Sequence, residues 1–314
     1  MKKITVSLLH SLVIITVLAD VSFAGEGTGT RIARDYRQTR EIINSILSED
    51  SRGTGDSSKE KDATEISPEK AKDQSAPVEG GKKSPLPAPD GPSKEEGTPK
   101  VSGEEEVLLK TGIDFYNNGL YDPALRNFQE MVTRFPQGAF RESARFWMGR
   151  IHMKAYRYDD AIREFVAVTP ESGDYPASLY HIAESYQMKG NRVASIENYQ
   201  RVYARFPDHE LADRALLAMG KLYLAGRNGS QALDSAVKLI RYYKNRDTID
   251  DAYYLIGKVY EGDPLYKDIE TARRVYRRFL EKGETDRRFG ASPLRKRVEE
   301  DLRRIERVYF KMEK

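Results

Sequence analysis

The sequence predicts an all-α solenoid of about five helix–turn–helix repeats plus a C-terminal capping helix, behind a disordered N-terminal region. Three observations predict it. Aromatic residues are segregated, with 18 of 19 Tyr, 10 of 11 Phe and the single Trp inside residues 104–314. Within that stretch helical spacing dominates, and the alternating or β-branched runs of strands are sparse. Small residues recur there at a nearly fixed interval, the mark of a repeat architecture.

The N-terminal region holds three pieces. Residues 1–24 have the layout of a secretory signal peptide: the basic start Met1-Lys2-Lys3, an uncharged apolar run over 4–19, and small residues at Ser22 and Ala24 around Phe23. The run is short for a spanning helix, so cleavage is favoured over retention as an anchor. Losing Lys2, Lys3 and Asp20 would take the formal charge from +3 to +2. The expected location is the periplasm. A lipid anchor on an N-terminal Cys is excluded, because the chain contains no cysteine.

Residues 25–50 contain a short amphipathic segment with Ile32, Tyr36, Ile42, Ile43, Ile46 and Leu47 at roughly helical spacing over 31–47. Two readings stay open. It is a docking or self-association helix, or it is a frayed segment with no partner. The second is favoured, because a short helix without tertiary contacts is marginal in water. Residues 51–103 carry seven of the 14 prolines, seven glycines, ten acidic residues and no aromatic ring. Such a stretch cannot bury enough apolar surface to offset its ordering entropy, so it is expected to be a disordered linker. As a coil it would span on the order of 40 Å.

The repeat is read from two series. Gly112–Phe115, Gly149–His152, Ala183–Tyr186, Gly220–Tyr223 and Gly257–Tyr260 each place a ring three residues after a small residue. Ala124, Ala161, Ser195, Ala232 and Ala272 form the second series. Phe128, Phe165, Tyr199 and Tyr276 follow four places on, with Ala236 the weak member. A Gly or Ala on the first helix lets the second approach closely, and the aromatic three residues on is expected to fill the gap beside it. Pro136, Pro170 and Pro207 close the first three units. Asp122-Pro123 reads as the cap and first residue of a second helix. No pair covers its own apolar face, so the units must stack.

These residues resemble the tetratricopeptide repeat family. Tyr253-x-x-Ile256-Gly257-x-x-Tyr260 and Leu216-x-x-Met219-Gly220-x-x-Tyr223 match the first half of its pattern. Leu108-x-x-Thr111-Gly112-x-x-Phe115 with Ala124, Phe128 and Pro136 matches it end to end. Units four and five depart from it, with Lys244 in place of Pro and an enlarged turn over 261–267. Ser292-Pro293 then opens a last helix over 292–314, with Leu294, Val298, Leu302, Ile305 and Tyr309 on one stripe. It reads as the polar-backed cap that solenoids need, in preference to a membrane-surface or partner helix.

Nothing in the residue inventory points to catalysis. No cysteine means no disulfide, thiol nucleophile or thiolate zinc site. A charged fraction of 32% excludes a multi-spanning membrane protein, and a net charge of +3 is too balanced to indicate a nucleic-acid binder. His152 stands at a core ring position, His181 on a helix flank and His209 in a turn, none at metal-ligand spacing. No P-loop or nucleophile elbow is present. The acidic pairs Asp159-Asp160, Asp250-Asp251 and Glu299-Glu300 read as solvated. Neither metal nor cofactor is expected, and the chain is read as no enzyme.

Binding of a protein or peptide is then the expected use. The resemblance implies that the first helices line an inner groove, at positions one after and three before the key small residue. In this sequence those are Ile113 with Leu109, Arg150 with Phe146, Glu184 with Tyr180, Lys221 with Leu217, and Lys258 with Tyr254. Rings and Leu offer apolar contact, and three cations can meet acidic groups. An ordinary half-exposed helix face is the plain alternative, and the Asn residues of the chaperone-binding carboxylate clamp are missing. The order of signal, helical piece, polar linker and repeats is similar to that of the cell-division repeat proteins associated with Tol-Pal. The Phe-Pro endings Arg134-Phe135-Pro136 and Arg205-Phe206-Pro207 look like theirs too, and less closely like those of the repeat lipoproteins of outer-membrane barrel assembly, a role that the missing anchor Cys argues against. A scaffold in envelope maintenance or division is therefore expected, or alternatively an accessory subunit of an outer-membrane assembly, exopolysaccharide or cell-wall enzyme complex.

Overall fold

The computed structural model describes residues 28–48 and 103–310, with helices as the only regular structure among them. The expected signal peptide and the linker up to residue 102 lie outside the described residues, as do the side chains of 28–36 and 38. Helix α1 is Thr28–Ser48. Three helix pairs follow the linker: α2 (Gly103–Asn117) with α3 (Tyr121–Arg134), α4 (Arg141–Lys154) with α5 (Tyr158–Val166), and α6 (Tyr175–Met188) with α7 (Arg192–Arg205). Two more are α8 (Ala212–Ala225) with α9 (Gly229–Tyr242), and α10 (Ile249–Gly262) with α11 (Ile269–Lys282). A single turn, α12 (Arg287–Gly290), leads into α13 (Arg295–Tyr309). The described residues divide into two compact units, 103–215 and 216–310 with 28–48, here the N-terminal and C-terminal arrays.

In the N-terminal array the glycines are required by close approach. A Cβ on Gly112 would stand 2.5 Å from the Phe128 ring, and one on Gly149 2.7 Å from the Phe165 ring. The gap beside each small residue is thus filled from the second helix, rather than by the ring three places on. Phe115 and Tyr186 are only half-buried. Phe128, Phe165, Ala124, Ala161 and Ala183 are fully buried, with Tyr199 close behind. Each such ring contributes about 1.5–3 kcal/mol relative to exposure. His152 is buried as a core substitute, and burial, with Arg157 adding to it, holds its imidazole toward the neutral form.

Turns between pairs are pinned by carboxylates from the first helices. Buried Glu105 accepts the Phe140 N–H at 2.7 Å, and Glu142 accepts the Thr169 N–H at 3.0 Å. Asp122 does not cap α3. The helix starts two residues earlier, at Tyr121, and the Leu120 carbonyl takes the Ala124 N–H without side-chain help.

The C-terminal array repeats the device with one substitution. Gly257 faces the fully buried Tyr276 ring, and Ala232, Tyr260 and Ala272 are buried around the two pairs. Gly220 instead faces Leu255 at 2.6 Å and Ser235 at 3.1 Å, so α10 supplies the bulk that Ala236 lacks. Tyr223 stays half-buried. In the enlarged turn, Asp263 accepts the N–H groups of Leu265 and Tyr266 at 2.9 and 3.2 Å. Val298, Leu302 and Ile305 of α13 are buried as a capping stripe, whereas Tyr309 at its end is exposed.

Two expectations are corrected here. Asp250 is buried, not solvated: Ser292, at the entry to α13, donates its hydroxyl to it. Burial raises the Asp250 pKa, with the Ser292 bond opposing the shift. Nor is the 31–47 segment a helix without a partner. Helix α1 packs on α9 and α11 and buries Ile43 there.

Candidate functional site

The ten expected groove positions fall into two sets, six in the N-terminal array and four in the C-terminal array. In the N-terminal array, α4 carries Phe146 and Arg150, and α6 carries Tyr180 and Glu184. Their spacing of four aligns each pair along one helix face. Phe146 is buried in the core, with its ring 5.8 Å from those of Trp147 and Phe165 and 5.7 Å from His181. The Arg150 guanidinium lies over Trp147 at 4.6 Å and Tyr116 at 4.9 Å. Cation–π contact holds it, and no carboxylate among the described residues pairs with it. Glu184 is occupied by His181, its Oε2 being 2.7 Å from Nδ1. Tyr180 packs edge-on against Tyr199 at 5.2 Å. Burial, aided by the Glu184 charge, pushes its pKa up to about 12, so it remains a neutral phenol.

Of these four, Arg150 and Glu184 line a cleft of about 440 Å³, together with Tyr116, Lys154, Tyr156 and Met188, whereas Phe146 and Tyr180 do not line it. Leu109 and Ile113 pack into the neighbouring core instead of lining it. Tyr156 was not among the sequence candidates. It is 77% exposed at the turn after α4, and its backbone is left-handed, with φ of 58°. Gly119 and Gly190, two residues past the ends of α2 and α6, adopt the same conformation without a Cβ penalty. A ring there costs about 1–2 kcal/mol of backbone strain. The spacing of 37 and 34 from Gly119 to Tyr156 to Gly190 was the available signal.

The C-terminal set is engaged differently. Leu217 is buried, and Lys221 pairs with Asp251 at 2.8 Å. Tyr254 donates its hydroxyl to Asp301 at 3.1 Å, and Lys258 reaches Glu261 at 2.8 Å and Asp301 at 3.4 Å. Arg304 closes the network by pairing with both acids at 2.5 Å. Burial works to raise Glu261 and Asp301, but it is outweighed by Arg304 and Lys258, so both titrate below the usual carboxylate range. Helix α13 therefore occupies Tyr254 and Lys258 from within the chain.

Among the described residues no group of His, Asp and Glu is placed to hold a metal ion. No helix there is long and apolar enough to cross a membrane. The tetratricopeptide repeat family model matches residues 106–138 and 177–209, which span the α2–α3 and α6–α7 pairs. A tetratricopeptide repeat protein from Parabacteroides merdae ATCC 43184 superposes with a TM-score of 0.53 at 14% identity, over 65% of this chain and 73% of that one. The MamA protein superposes with a TM-score of 0.48 at 18% identity, over 58% of this chain and 95% of that one. No curated protein matches the sequence. The chain thus carries two stretches that match the tetratricopeptide repeat model, within an all-helical fold shared with the Parabacteroides protein.

Proposed function

We propose that the protein is an exported, non-catalytic scaffold that captures an acidic protein segment in the cleft of its N-terminal array. One observation carries the reading. Arg150 is fixed by rings on an open cleft and keeps its N–H donors unspent, the arrangement that recognises carboxylates beside apolar contact. Exposed Tyr156 supports it by offering a ring for apolar contact at the same cleft. The signal layout at residues 1–24 supports action in the periplasm, and the order of segments supports a role in envelope maintenance or division of the Tol-Pal-associated kind.

Selection of randomly displayed peptides on the immobilised chain tests the cleft. Peptides with Asp or Glu next to aromatic or aliphatic residues are expected to be enriched on the parent and lost on Arg150→Glu. Equal enrichment on both would remove Arg150 from the reading. Recovery of protein with Gly25 at its N-terminus from a periplasmic fraction tests the export reading.

A further inference from the structure

The segment with the least stability of its own is docked. Helix α1 lies on α9 and α11, the second helices of two successive pairs. Ile43 is 1% exposed there, and Ile42 and Ile46 face Ile240 across the groove between α1 and α9. Polar contacts fix the register. Arg40 pairs with Asp268 at 3.3 Å, and Arg274 donates to the Asn44 side-chain oxygen at 3.0 Å. Asp268 also caps α11 by accepting the Thr271 N–H at 3.0 Å, so Arg40 binds a carboxylate already held in place.

We propose that the α9–α11 face is a receptor for one short amphipathic helix, and that residues 40–47 of the same chain are its occupant. The apolar stripe, one ion pair and one amide contact define what fits: a helix with isoleucines at i, i+1 and i+4, a basic residue just before them and a polar amide between. This surface is separate from the Arg150 cleft and does not depend on it. Fifty-four residues connect Ser48 to Gly103. Docking within one chain does not depend on protein concentration, whereas a second copy competes only as that concentration rises, so dilution favours the chain's own helix. Self-association through 31–47 is then an exchange reaction, in which α1 must leave its own face before seating on another.

The absence of cysteine makes the test direct. In the full chain, Ser45→Cys with Arg241→Cys places two unique thiols across the groove, to be joined by a short bis-maleimide. The expected product is an internally cross-linked monomer whose yield does not change on dilution. Adding Ile43→Asp should lower that yield at least about tenfold, because burying an unpaired carboxylate at a docking contact costs more than that factor. Arg40→Glu, facing Asp268, should lower it less, and less again in high salt. A product that is mainly covalent dimer and fades on dilution would overturn docking within one chain. No cross-link, or a yield unaffected by Ile43→Asp, would overturn the receptor itself. The circular dichroism melt of Ile43→Asp should stay cooperative and fall only modestly, by the docking that is lost, which separates undocking from misfolding.

Discussion

The same repeat position is used in two opposite ways in the two arrays. In the N-terminal array, Arg150 is surrounded by rings and its donors remain available at a cleft. In the C-terminal array, Lys221 and Lys258 stand at the matching positions, and both are neutralised by carboxylates of their own chain. The difference lies in the neighbours. Rings hold a cation without spending its hydrogen bonds, whereas Asp251, Glu261 and Asp301 spend them. A groove position is therefore open to a ligand only where no carboxylate of the same chain has claimed it.

The comparison can be broken first at the packing that both arrays share. Gly257→Leu should have the largest effect, about 3 kcal/mol, because its side chain lands on the fully buried Tyr276 ring. Gly220→Leu should cost less, nearer 1 kcal/mol, since the atom it meets first is the end of the Leu255 side chain. Thermal melts of the two variants give the ranking, and the reverse order would upset the assignment of which glycine meets a rigid ring.

The network under α13 comes next. Asp301→Asn leaves Lys258 and Arg304 short of a charged partner and should cost about 1–3 kcal/mol. Acid probes the same pairs. The lowered pKa values of Glu261 and Asp301 mean that their contribution is complete above the unfolded value, about pH 4, and disappears as the pH falls through the folded values. Amide exchange in α13 should therefore accelerate on acidification before exchange in α4 and α6 does. Loss of protection in α4 and α6 first would show that the ion network is not what holds the cap.

Much of this fold could be read from spacing, because a repeat writes its packing into the chain at regular intervals. Gly112, Gly149 and Gly257 were legible for that reason, and so were Ala124, Ala161 and Ala272. The stripe Val298–Leu302–Ile305 announced a cap by helical period alone. What period cannot reveal is which distant side chain meets a given face. Tyr254 and Asp301 lie in different elements, and no local pattern links them, so the C-terminal strip looked as open as the N-terminal one. Helix α1 was misjudged for a related reason. Its local stability is poor, and its partners on α9 and α11 lie about two hundred residues away in sequence. Tyr156 escaped notice because a ring at a glycine position is visible only once the turns are aligned.

The smallest stability effect belongs to the residue with the largest proposed role. Arg150→Glu removes no ion pair among the described residues, only the cation–π contacts to Trp147 and Tyr116, and should lower the melting temperature less than the changes above, whereas a peptide's carboxylate would meet repulsion in place of a fork of donors. The direct test is capture of a selected acidic peptide by Arg150→Glu and by Lys221→Glu, each first shown to melt cooperatively. The account predicts at least about tenfold weaker capture for Arg150→Glu, since loss of a charged anchor at a cleft costs more than about 1.4 kcal/mol, and near-parental capture for Lys221→Glu. Equal losses in both, or loss in Lys221→Glu alone, would contradict it.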